Sequence, residues 1–233
     1  MMIPRRSPIL TALVACALVT GCGGSASSSS SASSEASSST VNTGESGAPA
    51  SPNNPASSSS QIGFEGIPIE AGPPLAPNTT GTGAVDGITC GPTEQLAYHI
   101  HAHLAVYADG TPTALPGGIG IPGSATVETT EGPVAAGGQC IYWLHTHAPD
   151  GVIHVESPTE RVYTLGNFFD EWHQPLNARQ VAGASGKVTA VVNGRPWTGT
   201  PRAIPLLPHA VIQLDVGTPG VPFQHISWSG TQL

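Results

Sequence analysis

Residues 140–156 read CIYWLHTHAPDGVIHVE. Apolar and polar residues alternate on both sides of Asp150-Gly151, a dipeptide suited to a tight turn. The stretch therefore predicts a strand over 140–147 and a returning strand over 152–156. Upstream, AYHIHAHLAVY at 97–107 alternates in the same way and closes on the turn dipeptide Asp109-Gly110. TPTALPGGIGIP at 111–122 continues as a short extended piece whose prolines exclude a central strand. Downstream, KVTAVVNGRPW at 187–197 gives a strand, an Asn193-Gly194 turn and a further extended piece, and HAVIQLDV at 209–216 gives the last strand.

One segment has helical spacing. In TLGNFFDEWH at 164–173, Leu165, Phe168, Phe169 and Trp172 fall on one face and read as core. Thr164 is positioned as N-cap, and Pro175 is expected to end the helix. Strand, hairpin, helix and two more strands indicate an α+β fold. The expectation is a mostly antiparallel sheet with one helix across a face, arranged in a β-grasp-like way.

The N-terminus points to a compartment. Arg5 and Arg6 precede an apolar run, Ile9 to Val19, which is too short to span a bilayer and suits a secretory signal. The VTGC that follows, ending at Cys22, resembles the lipobox of bacterial lipoproteins. That resemblance implies cleavage before Cys22 and lipidation of its thiol. Residues 1–21 then form a signal peptide and 22–60 a Ser/Ala-rich tether with too little apolar surface to fold. Residues 61–84 form a Pro/Gly-rich arm that carries Phe64, Ile67, Ile69 and Leu75, and residues 85–233 form the histidine-rich domain. The expected location is the bacterial cell envelope, with the chain held on a membrane by lipid.

Loss of residues 1–21 removes Arg5 and Arg6 and no acid. The remainder carries five basic and fifteen acidic side chains, a balance of −10. Such a chain is unsuited to nucleic acid, whose binding rests on neutralising phosphates. No P-loop, GxSxG or strand-linked GxGxxG occurs. A protein partner or substrate stays open. Processing also leaves Cys90 and Cys140 as the remaining thiols. An oxidising compartment favours a disulfide between them, which would draw together the leads into the two histidine stretches.

Six of the nine histidines lie in HIHAHL (99–104) and LHTHAPDGVIH (144–154). Alternate residues of a strand share a face, so His99, His101 and His103 align, as do His145 with His147 and His154 with Glu156. Residues four apart in a strand stand about 13 Å apart, too far to share an ion. One adjacent pair from the first stretch can therefore join ligands from the second. The expected set is His101, His103, His145 and His147, with His99, His154 and Glu156 as alternatives and Asp150 as a further carboxylate. Imidazole with carboxylate suits Zn or Cu(II), with Fe behind them. His173, His209 and His225 have no such company and read as structural or surface residues. Three readings follow: a metal-binding or metal-handling module, a metal-dependent hydrolase or oxygenase with an open coordination position, and a metal-free binding or structural module.

The blocks GITCGPTEQLAYHIHAHLAVY, CIYWLHTHAPDGVIHVESP, YTLGNFFDEW and AIPLLPHAVIQLDVG resemble an uncharacterised family of secreted or lipid-anchored bacterial proteins. The resemblance covers about residues 62–233. It implies that the histidine strands, the cysteine pair and the helix belong to one domain, and it brings no activity or ligand with it.

Overall fold

A computed structural model describes residues 61–233. The expected signal peptide, lipidation at Cys22 and tether fall on residues outside those described. The central sheet has seven strands: β1 (Tyr98–Ala108), β2 (Thr111–Thr113), β3 (Leu144–His145), β4 (Val152–Ser157), β5 (Val188–Val192), β6 (Arg195–Pro196) and β7 (Ala210–Val216). They run in the order β6-β5-β7-β1-β4-β3, with β2 on the C-terminal half of β1. The pairings are antiparallel except β1 with β7, which run parallel at the centre. Among the described residues there is one α-helix, α1 (Leu165–Glu171). The α+β, mostly antiparallel reading therefore holds. Among the described residues, no helix is long and apolar enough to cross a membrane.

Period-two alternation gives the sheet two unlike faces. Ala102, Leu104 and Val106 of β1, Ile153 and Val155 of β4, and Ile212 and Leu214 of β7 pack in one apolar cluster. Leu165, Phe168 and Phe169 of α1 and Trp172 at its C-cap join it, each without solvent exposure. Burying an aromatic or aliphatic side chain of this size contributes roughly 1.5–3 kcal/mol, so this face anchors the fold. Thr164 caps α1: its hydroxyl accepts from the Asn167 N–H while the Asn167 side chain accepts from the Thr164 N–H. The helix stops earlier than Pro175 requires. Trp172 is the C-cap, and His173 turns left-handed at φ 58°. The Thr79 hydroxyl donates to the freed Trp172 carbonyl at 2.6 Å.

The opposite face carries the intervening residues: His101 and His103 of β1, His154 and Glu156 of β4, and Gln213 and Asp215 of β7, all buried. Their burial comes from chain laid over them. The arm residue Glu65 reaches His154. On the β7 side the tail binds through Gln213 Nε2 donating to the Val221 carbonyl and the Gln224 N–H donating to Gln213 Oε1. Ile67 and Leu75 of the arm are buried, and residues 61–84 fall in the same compact unit as the rest of the described chain.

Two sequence expectations need correction. The strand over 140–147 is broken at Trp143. Ile141–Tyr142 pairs with Cys90–Gly91, whereas β3 pairs with β4. The outer edge of this stretch rests on an irregular loop, with the Tyr142 N–H donating to the Gly120 carbonyl and the Thr146 N–H to the Ile119 carbonyl. Asp150-Gly151 is also not a two-residue hairpin turn. The ladder between β3 and β4 closes at His145↔His154, and a longer bend links them. Asp150 stabilises that bend by accepting the Val152 N–H at 3.1 Å.

Candidate metal centre

Register decides which side chains meet. His101 of β1 lies opposite His154 of β4, and His154 lies opposite His145 of β3. Three adjacent strands thus place a histidine each in one row. His99 pairs with Glu156 in the next row, and His103 pairs with Val152 on the other side. The ring centroids of His101 and His154 are 4.6 Å apart, and those of His145 and His154 are 5.1 Å apart and nearly parallel.

The ring nitrogens converge. His99 Nε2 is 3.0 Å from His101 Nε2, and His145 Nε2 is 3.2 Å from His147 Nε2. Glu156 lies between the two pairs, with Oε1 3.1 Å from His99 Nε2 and Oε2 3.9 Å from His145 Nε2. His154 Nδ1 faces Glu156 Oε1 at 3.3 Å, and its Nε2 faces Glu65 Oε1 at 2.8 Å. Glu94 Oε1 is 3.4 Å from His147 Nε2. Among the described residues, three overlapping groups have donor atoms within 4.8 Å of one another. They are His99, His101, His154 and Glu156; His145, His147 and His154; and Glu94, His145 and Glu156. These buried histidine and glutamate clusters could hold a metal ion.

His145 shows the arrangement best. It has no solvent exposure, and its Nδ1–H donates to the Tyr142 carbonyl at 2.9 Å. That bond fixes the tautomer and leaves the Nε2 lone pair aimed into the cluster, which is how a protein orients a ligating imidazole. Tyr142 is in turn held by its register with Cys90, which is bridged to Cys140 across a Cα–Cα distance of 5.5 Å. The expected disulfide is present, and it braces the carbonyl that orients His145.

The electrostatics divide the histidines. Burial holds His101 down to about 3, with the positive charge of His154 adding to the effect. Burial and then His154 hold His147 down to about 4, and the same two causes press His145 well below the usual range. At neutral pH these three are neutral imidazoles with free lone pairs, the form that binds metal. His154 is the exception. Burial opposes its charge, but hydrogen bonds to Glu156 and Glu65 outweigh burial and lift it to about 9. An imidazolium between two carboxylates thus occupies the centre of the cluster, where a metal cation would also find those carboxylates.

His103 stands apart from the set the sequence reading placed it in. It faces the same side as His101 but lies one row on, beside Glu70 and the Asp150-Gly151 bend, and takes no part in the three groups. The pair that converges is His99 with His101, because Glu156 stands opposite His99 and Val152 opposite His103. Asp150 is buried behind the cluster; burial, then the Glu65 charge, pushes it up to about 8. His173, His209 and His225 lie outside the cluster, with His209 stacked on Trp228 at 4.8 Å.

Glu65 and Glu94 were not foreseen. Neither belongs to a periodic segment. The only sequence signal was that the arm around Glu65 carries Phe64, Ile67 and Ile69, apolar residues that imply packing. A cavity of about 400 Å³ opens beside the cluster, lined by His99, His101, His147 and Glu156, by Phe64 and Glu65 of the arm, and by the tail at 230–233. Compared with family models, with curated proteins and with solved structures, the chain finds no match in any of the three.

Proposed function

We propose that this chain is a cell-envelope lipoprotein whose folded domain binds a divalent transition metal through its histidine cluster. The observation that carries the reading is the convergence of Nε2 atoms, 3.0 Å between His99 and His101 and 3.2 Å between His145 and His147. Two ligands bonded to one ion at about 2.1 Å, at angles between octahedral and tetrahedral, stand roughly 3.0–3.4 Å apart. An imidazole–imidazole hydrogen bond gives the same spacing for a single pair; what it leaves unexplained is two such pairs set on either side of one carboxylate, Glu156. Zn and Cu(II) fit the imidazole and carboxylate donors best, with Fe behind. The envelope location and the lipid anchor rest on the N-terminal sequence ending at Cys22.

Calorimetric titration of metal-stripped protein, prepared without a histidine tag, tests this. His101→Ala and His145→Ala should each weaken Zn and Cu(II) binding at least 100-fold at the position that histidine serves, whereas His173→Ala and His225→Ala should leave it unchanged. Equal binding by all four variants would remove the cluster from consideration. Fractionation tests the anchor: Cys22→Ala should move the protein from membranes to the soluble fraction, and retention on membranes would refute lipidation.

The cavity favours a second reading. It reaches His99, His101, His147 and Glu156 from solvent, so a bound ion would keep a position open for water or a small ligand. Open positions distinguish catalytic from closed structural sites. A metal-dependent hydrolase is the reaction class that follows, and turnover of activated esters by loaded but not stripped protein would support it.

A further inference from the structure

We propose that the cluster is a dinuclear centre in which Glu156 bridges two divalent transition-metal ions. This rests on the metal-binding reading above and adds the number of ions and the division of ligands between them. The cluster holds more donors than one ion can take. It contains two His-x-His pairs, each spaced as two ligands of one ion would be. Among the described residues, none of the three mutually close donor groups contains members of both pairs. No single group gathers both pairs, and two ions would serve one pair each.

Glu156 is placed to join them. Its carboxylate sits between the pairs, with Oε1 3.1 Å from His99 and Oε2 3.9 Å from His145. Oε2 is buried and has no hydrogen-bond partner. A carboxylate oxygen left bare in a protein interior is costly and calls for a partner, and a bound cation is one that would serve. A cation held by His145 and His147 would satisfy it. Glu94, 3.4 Å from His147, joins the second ion, and His154 beside Oε1 completes the first once the ion displaces its Nδ1 proton to solvent. The first set is then His99, His101, His154 and Glu156, and the second is built on His145, which is close to His147 in one group and to Glu94 and Glu156 in another. Ions sharing such a carboxylate in two-metal sites lie about 3.5–4 Å apart.

The test is stoichiometry by elemental analysis of the full chain without a histidine tag, stripped and then reloaded with Zn or Cu(II). Two equivalents are expected. The double variant His99→Ala/His101→Ala should keep one, and so should His145→Gln/His147→Gln. At two equivalents of Cu(II), electron paramagnetic resonance should show a half-field transition from coupled ions, and Glu156→Gln should abolish it. Wild-type protein alone decides the main point if a variant fails to fold. No bound metal would overturn the metal-binding reading and this proposal together. One equivalent in the wild type would overturn the dinuclear centre and leave metal binding standing. Two equivalents without coupling would overturn the bridge.

Discussion

Breaking the Cys90–Cys140 bridge should cost the domain about 4 kcal/mol. The bridge closes a loop of 50 residues, and the chain-entropy relation gives about 4 kcal/mol for a loop of that length. Little in the native ladder substitutes for it, because the strands it joins are two residues each, Cys90–Gly91 and Ile141–Tyr142. Both cysteines are half-buried against the core, so truncation to alanine adds only a small packing loss. In a folded unit of this size, each kcal/mol moves the midpoint by roughly 2–4 °C. Cys90→Ala should therefore lower the midpoint of thermal unfolding by about 8–16 °C. Cys140→Ala and the double variant should match it, because each removes the same bridge. Differential scanning calorimetry of metal-stripped protein reads the effect without interference from bound ions. The Tyr142 carbonyl that accepts from His145 would lose its brace as well, so metal affinity should fall by about 10-fold, the lower end for loss of such a supporting partner. A midpoint drop below 3 °C, or single variants that differ widely from the double, would refute the reasoning.

The pH behaviour of single residues separates the histidine roles. Burial holds His103 down to about 4, below the unfolded value near 6.5, so its contribution to stability is present above about 6.5 and is lost as pH falls toward 4. His103→Asn should therefore cost about 2 kcal/mol less at pH 5 than at pH 7 by urea unfolding, and a cost independent of pH would contradict the assignment. His154 has the opposite sign: raised to about 9, its contribution is fully present below about 6.5 and is lost as pH rises through 9. Nuclear magnetic resonance titration of metal-free protein should find it protonated at pH 7.5, and a midpoint below 7 would refute its place between Glu65 and Glu156. Gly120 is left-handed at φ 75°, and an added Cβ would lie 2.9 Å from His145 Cα. Gly120→Ala should destabilise by more than about 2 kcal/mol and disturb the metal centre; an unchanged unfolding midpoint would show that the strand yields.

Much of the fold was legible because period two and period 3.6 are local signals. Leu165, Phe168, Phe169 and Trp172 announced the helix face, and the alternation in 97–107 and 209–216 announced the two central strands to within a residue. The break at Trp143 was not legible, because it arises from contact with the distant Gly120 loop rather than from the stretch itself. The cluster was legible as a set of histidines but not in its membership. Alternation states that His99, His101 and His103 share a face; it does not state which of them lies opposite Glu156. That depends on the register of β1 against β4, set by the whole ladder. Glu65 and Glu94 reach the cluster from irregular chain, where sequence period carries no information.

Anomalous diffraction from crystals of the reloaded protein, collected at the absorption edge of the bound metal, tests the central claim most directly. The account predicts anomalous density about 2.1 Å from the Nε2 atoms of His99 and His101, of His145 and His147, or of both pairs. Density confined to His173, His209 or His225, or none at the cluster in protein soaked with Zn or Cu(II), would contradict it.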